Sequence, residues 1–161
     1  YRTTNWTELR LILVTAFSLL LVTVLLVRDC RRLPWAILCT VPFVWMTNTL
    51  QAALIIYFYP ERWMNEGNAA GAAELKGHAE AKIGEMLDLL DAQFASHRAD
   101  WFLGERYSLL DPYAFVLCRW TRGFARPTRS LPHLKPFLHR MLARPAVQRA
   151  LATEKLAAPY V

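Results

Sequence analysis

Trp101-Phe102-Leu103-Gly104-Glu105-Arg106-Tyr107-Ser108-Leu109-Leu110-Asp111-Pro112-Tyr113 is the stretch from which the fold is read. Its second half, Ser108-Leu109-Leu110-Asp111, is an N-cap signature in which Asp stands where Glu or Gln is usual. The spacing predicts that the Ser108 hydroxyl accepts from the Asp111 amide. It also predicts that the Asp111 carboxylate reaches back to the Ser108 amide. Gly104 punctuates the loop before the cap. After it, Tyr113–Trp120 (Tyr-Ala-Phe-Val-Leu-Cys-Arg-Trp) is a largely apolar helix expected at the centre of a bundle. Ser108 and Asp111 are therefore read as structural residues, since losing such a cap costs about 1 kcal/mol and at most about 2.

Outward from this centre the pattern stays helical. Leu75, Ala79, Ile83, Met86, Leu87, Leu90 and Phe94 recur every three or four positions with polar residues between, an amphipathic helix of about six turns. Asn65–Gly71 before it is a polar loop. Phe43–Phe58 reads as an apolar helix with a polar notch at Thr47, Asn48, Thr49 and Gln51. Tyr59-Pro60 ends it, because a residue before proline avoids the helical region. Downstream, Leu134, Phe137, Leu138, Met141 and Leu142 mark another helix, and Arg144-Pro145-Ala146-Val147 opens a last one with Pro in its first turn. No pair of alternating strands joined by Asn-Gly or Asp-Gly occurs. The fold class is all-α, a helical bundle preceded by a hydrophobic N-terminal helix.

Composition is consistent with that class. A chain of 161 residues that is 55% hydrophobic and 20% charged is one domain in size and excludes a disordered, collagenous or linker sequence. The net charge of +6 is spread over both halves with acidic residues interleaved, so no nucleic acid is expected as a partner. The three cysteines form no CxxC, and with four scattered histidines they give no metal-site spacing. No metal is expected. Cys39 and Cys118 lie in apolar runs as small buried thiols, and a reducing compartment follows. His78, His97, His133 and His139 fall on surface-like or loop positions without a Ser or Cys partner and are assigned no catalysis.

The apolar excess sits at the N-terminus. Leu11–Val27 is an uncharged run of 17 residues followed by Arg28, Arg31 and Arg32. As a helix it spans about 25 Å, the short end of what crosses a bilayer, with a basic flank that favours the cytoplasmic side. Residues 9–27 are therefore either a membrane helix or a buried hydrophobic helix of a soluble protein. A second uncharged stretch, Leu33–Tyr59, is broken by Pro34 and Pro42 and is less suited to span. The chain divides on this reading into an apolar segment, 1–42, and a helical domain, 43–161.

The stretch quoted first resembles the C-terminal helical domain of bacterial glutathione S-transferases, in which a Leu-Gly-(Asp/Glu) turn precedes a Ser-x-x-Asp cap that opens the central helix. Leu117-Cys118-Arg119-Trp120 continues in the same style. Leu131-Pro132-His133-Leu134 and Arg144-Pro145-Ala146-Val147-Gln148-Arg149-Ala150 are similar to the last two helices of that domain. Met46-Thr47-Asn48-Thr49-Leu50-Gln51 and Tyr57-Phe58-Tyr59-Pro60-Glu61-Arg62-Trp63 resemble its first helix and exit. The likeness covers about 43–156. The family's thioredoxin-like half is not recognisable upstream. Residues 1–42 contain no Gly, the first being Gly67, and no Glu-Ser or Asp-Ser pair stands near Val41-Pro42.

The resemblance implies thiol transfer from glutathione, as co-substrate, to small hydrophobic electrophiles, in a protein that can form a homodimer. It places Asn48 and Gln51 facing glutathione and Trp120 on the wall of the electrophile pocket. It supplies no catalytic residue in this chain, because the groups that stabilise the thiolate belong to the other half. The chain is therefore expected to be incomplete and inactive alone. The alternative is a non-catalytic helical interaction module, anchored to a membrane through residues 9–27. The expected location is the cytoplasm or, on that alternative, the inner membrane with the helical domain on the cytoplasmic side.

Overall fold

The computed structural model describes residues 33–97 and 99–161. The hydrophobic run at 9–27, and with it the expected membrane helix, lies outside the described residues. The chain forms two compact units, Tyr1–Asn48 and Thr49–Val161. Among the described residues every regular element is helical. The only strand-like feature among the described residues is an isolated bridge between Trp101 and Gly104.

The first unit contributes α1 (Leu33–Met46). Pro42 lies inside this helix rather than at its start. A proline there removes one ladder donor, yet the helix runs through it, so the segment begins ten residues earlier than the sequence pattern indicates. Ile37, Leu38 and Val41 are exposed on it. A π turn, Thr47–Gln51, follows.

The second unit holds α2 (Ala52–Phe58), α3 (Ala69–His97), α4 (Leu110–Trp120), α5 (Leu134–Ala143) and α6 (Pro145–Thr153). α2 ends at Phe58 and gives way to a 3-10 turn at Pro60–Trp63, as the Tyr59-Pro60 pair dictates. α3 starts inside the polar loop, at Ala69, because Asn68 Oδ1 accepts from the Gly71 amide at 3.0 Å and caps the first turn. This lengthens it to 29 residues. Of its apolar stripe, Ala79, Ile83, Leu87, Leu90 and Phe94 are buried.

α2 packs along α3, and α5 touches α3, α4 and α6. Leu110, Ala114, Leu117 and Cys118 on α4 are buried, as are Leu134, Phe137, Leu138 and Met141 on α5. Each Leu, Phe or Met side chain among these contributes about 1.5–3 kcal/mol on burial. Phe94 joins the layers, meeting Phe102 edge-on at 5.9 Å and Phe137 at 4.7 Å.

Two buried carboxylates fasten this core. Asp91 is 8% exposed, and its Oδ1 accepts from the His133 and Leu134 amides at 2.9 and 2.8 Å. It caps α5 from a helix more than forty residues earlier in the chain. Asp111 is fully buried; its Oδ1 accepts from the Phe102 amide at 2.8 Å and its Oδ2 from the Ser108 amide at 2.6 Å. The Ser108 hydroxyl donates to Oδ2 at 3.0 Å and accepts from the Leu110 amide at 3.2 Å. The Asp111 amide goes instead to the Ser108 carbonyl at 3.3 Å. The side-chain cap thus differs from the expected box in one donor, because the hydroxyl is engaged by a nearer amide. The turn that Asp111 ties down is closed by paired Trp101 and Gly104 backbone bonds at 3.0 Å. Gly104 has φ +111°, a conformation that favours glycine.

Candidate functional site

Trp120 closes α4 half-buried, and the residues around it form an aromatic wall. Phe58 meets its ring edge-on at 6.5 Å, Tyr57 meets Phe58 at 5.2 Å, and Tyr57 lies 4.3 Å from Phe124. These four rings, with Arg122 and Gly123, line a cleft of about 190 Å³. α2 supplies two of them because its C-terminal residues, Tyr57 and Phe58, fall beside the end of α4. Phe124, just past the end of α4, comes back against Tyr57. The loop is held by two hydroxyls: Thr121 Oγ1 and Thr128 Oγ1 are 2.5 Å apart, and Thr121 also donates to the Cys118 carbonyl at 2.8 Å.

Both signs of charge stand near the wall. Lys76 Nζ stands 4.8 Å from the Tyr57 ring centroid, a cation–π contact. Burial, with a smaller push from Glu80, raises the Tyr57 phenol above its ordinary value. Tyr57 is therefore a neutral hydrogen-bonding group at pH 7 and not a phenolate.

Gln51 meets α4 about two turns before Trp120. Its Oε1 accepts from the Tyr113 hydroxyl at 2.7 Å. Tyr113 and Trp120 are seven residues apart on one helix, so they share a face about 10 Å apart along the axis. Gln51 and Trp120 are thus held by the same helix, whereas Asn48 belongs to the first unit. There it is exposed and donates from Nδ2 to the Val44 carbonyl at 2.9 Å. Its neighbour Thr47 does likewise to Phe43 at 2.8 Å.

Tyr57, Phe58, Tyr113, Arg122 and Phe124 are the site residues that the sequence pattern does not single out. The run Tyr57-Phe58-Tyr59 is a visible aromatic cluster, but Tyr113 reaches Gln51 across 62 residues, and no local spacing reports such a pair. Cys118 is fully buried beneath the wall, and burial pushes its thiol up to about 12. It is an inert core group at neutral pH. His78, His133 and His139 are exposed. Among the described residues no group of three His, Cys, Asp or Glu is placed to hold a metal ion.

Residues 38–145 match the glutathione S-transferase C-terminal domain family. The chain belongs to that family through this domain. It is 38% identical over 56 residues to the glutathione S-transferase GstA of Escherichia coli O157:H7, an alignment covering 35% of this chain and 28% of that protein. The fold is similar to that of a glutathione transferase homologue from Sulfitobacter, solved with bound glutathione. The TM-score is 0.61 at 23% identity, covering 71% of this chain and 59% of that one. The chain therefore spans about a quarter and about three fifths, respectively, of these two proteins.

Proposed function

We propose that this chain is the electrophile-binding half of a glutathione transferase, in which Phe58, Trp120 and Phe124 hold a small apolar electrophile and Gln51 faces glutathione. What carries the reading is the aromatic cleft at the end of α4 together with the Tyr113–Gln51 bond on the same helix. The rings stack on or edge against a flat electrophile, and Arg122 at the cleft offers a donor to charge developing on it. Tyr113 fixes the Gln51 amide, leaving its NH2 group to donate to a peptide carbonyl or carboxylate of glutathione. The thiolate must be stabilised by another domain, because residues 1–42 hold no glycine turn and no acid–serine pair. On this reading the chain alone is inactive; a cytoplasmic location and a homodimer are what the family likeness suggests for it.

The test separates binding from turnover. The purified chain is titrated with S-(2,4-dinitrophenyl)glutathione, followed by tryptophan quenching, and assayed with chlorodinitrobenzene and glutathione. The conjugate is expected to bind with no turnover, and Trp120→Leu to abolish binding. Absence of conjugate binding by folded protein overturns the site; turnover by this chain overturns the assignment of the thiolate to another domain.

A second reading rests on α1, which exposes Ile37, Leu38 and Val41. The helical stretch Ile37–Phe58 is long and apolar enough to cross a membrane by length and composition. On that reading the chain is a membrane-associated interaction module. Retention in carbonate-washed membranes supports it, and a monodisperse protein purified without detergent refutes it.

A further inference from the structure

Arg122 stands just past the end of α4 and is the charged residue in the lining of the aromatic cleft, among Tyr57, Phe58, Trp120 and Phe124. Its main chain is held on both sides. The Arg122 amide donates to the Arg119 carbonyl at 3.2 Å, and the Arg122 carbonyl accepts from Arg129 Nη1 at 3.1 Å. The same Arg129 nitrogen donates to the Val161 carbonyl at 2.9 Å, which ties the segment to a second stretch of chain. The half-buried Arg122 side chain thus starts from a fixed point at the edge of the rings.

Its guanidinium is only partly engaged. Nη1 donates to the Arg119 carbonyl at 3.2 Å, a bond that the exposed carbonyls of a helix C-terminus favour. That leaves open most of the five donors a guanidinium carries. The ion pairs among the described residues fall elsewhere, on Lys82 with Glu85, Arg126 with Asp88 and Arg140 with Asp100. Lys76 also stands near the rings, against Tyr57, but Glu80 acts on the same phenol with the opposite charge. Beside Arg122, by contrast, is another cation. Burial and then the Arg122 charge lower the pKa of the Arg119 guanidinium. An aromatic lining therefore carries one positive group whose charge no acid among the described residues pairs.

We propose that the electrophile received at this cleft is a single-ring arene bearing a carboxylate, with the ring among Phe58, Trp120 and Phe124 and the carboxylate on the open side of the Arg122 fork. The proposal rests on the reading of the cleft as the electrophile site and adds the class of electrophile. The volume of about 190 Å³ is below that of drug-sized pockets and suits one substituted ring. The planar guanidinium matches two carboxylate oxygens with parallel hydrogen bonds. A neutral electrophile of the same shape displaces water from those donors and gives nothing back. Ring contact supplies affinity for both, and the guanidinium supplies the difference between them.

The experiment compares two conjugates that differ in one substituent, S-(4-carboxy-2-nitrophenyl)glutathione and S-(4-carbamoyl-2-nitrophenyl)glutathione, by calorimetry on the full 161-residue chain. The glutathione part is common to both and cancels in the comparison. The carboxy conjugate is expected to bind about tenfold more tightly, the effect of a charge-assisted pair at a half-buried site. Arg122→Gln should bring it down to the level of the carbamoyl conjugate and leave the carbamoyl conjugate unchanged, which also shows that the variant is folded. Arg122→Lys should retain part of the preference. Arg126→Gln, which removes the same charge away from the cleft, should retain all of it. Equal binding of the two conjugates to the native chain overturns the proposal while the electrophile site stands. A preference that survives Arg122→Gln or disappears in Arg126→Gln overturns it too, as does an equal loss of both conjugates in Arg122→Gln, which would assign Arg122 to glutathione. Binding of neither conjugate by folded native chain overturns the electrophile site itself and this proposal with it.

Discussion

Removing the Asp111 carboxylate tests the architecture at its centre. In the native state it accepts three hydrogen bonds, from the Phe102 amide at 2.8 Å, the Ser108 amide at 2.6 Å and the Ser108 hydroxyl at 3.0 Å. Its residue is fully buried, so no water replaces a lost acceptor without opening the turn. Each amide left unsatisfied costs about 1–3 kcal/mol, and bonds to a charged acceptor lie in the upper part of that range. The hydroxyl can rotate toward another acceptor and costs less. Asp111→Ala is therefore expected to lose about 3–5 kcal/mol, well above the roughly 1 kcal/mol of a solvent-exposed cap. For a unit of this size that corresponds to a fall in Tm of about 10–20 °C. Urea unfolding followed by circular dichroism gives the number as a shift in midpoint at constant slope. Ser108→Ala, which leaves both amide bonds to Asp111 in place, should cost about 1 kcal/mol. A loss below about 1 kcal/mol for Asp111→Ala would show that the Trp101–Gly104 turn finds other acceptors, and would refute the carboxylate's role as the fastening of that turn.

Other outcomes follow from the same geometry. Asp91→Ala should cost about 2–4 kcal/mol by orphaning the His133 and Leu134 amides, and hydrogen exchange at those two amides should speed up with it. Gly104→Ala should lose about 1–3 kcal/mol from backbone strain at φ +111° alone, since an added Cβ meets no atom within 4 Å; an unchanged unfolding midpoint contradicts that. The Arg126 guanidinium beside Asp88 holds that carboxyl below its ordinary value. The small stabilisation it gives is present above the unfolded carboxylate's pKa and is lost as pH falls through the folded one. NMR titration should find the Asp88 pKa raised by Arg126→Gln, with the difference shrinking in high salt because both groups are exposed. In a Cys30→Ser, Cys39→Ser background, Cys118 should not react with dithionitrobenzoate at pH 8 until the protein unfolds; fast reaction of native protein would contradict its burial.

The helices were legible because their burial leaves a periodic trace. The stripe from Leu75 to Phe94 and the run Leu134, Phe137, Leu138 and Met141 mark α3 and α5, and the Pro60 and Pro145 boundaries fall where backbone sterics put them. The start of α1 was not legible. Pro42 reads as a break, yet the helix runs through it with one donor fewer. The capping residues at 108 and 111 could be read from spacing, but not the Phe102 amide that takes the second carboxylate oxygen, because that contact is set by how the turn folds back. Asp91 left one signal. An acid in the Leu87–Phe94 stripe breaks the apolar pattern and implies a buried acceptor with a partner elsewhere. Trp120 was visible as the end of the central helix, whereas the rings that complete its cleft come from segments brought together only in three dimensions.

Asp91 also bears on the order in which the molecule comes apart. The start of α5 hangs from an oxygen on α3, and the connection closes a loop of more than forty residues. Closing such a loop is entropically expensive, so the bond forms only after α3 and α5 have already met. Once formed, it leaves α5 little freedom to fray alone, because lifting its first turn strands a carboxylate in an apolar layer. α3 and α5 should therefore open together as one cooperative block.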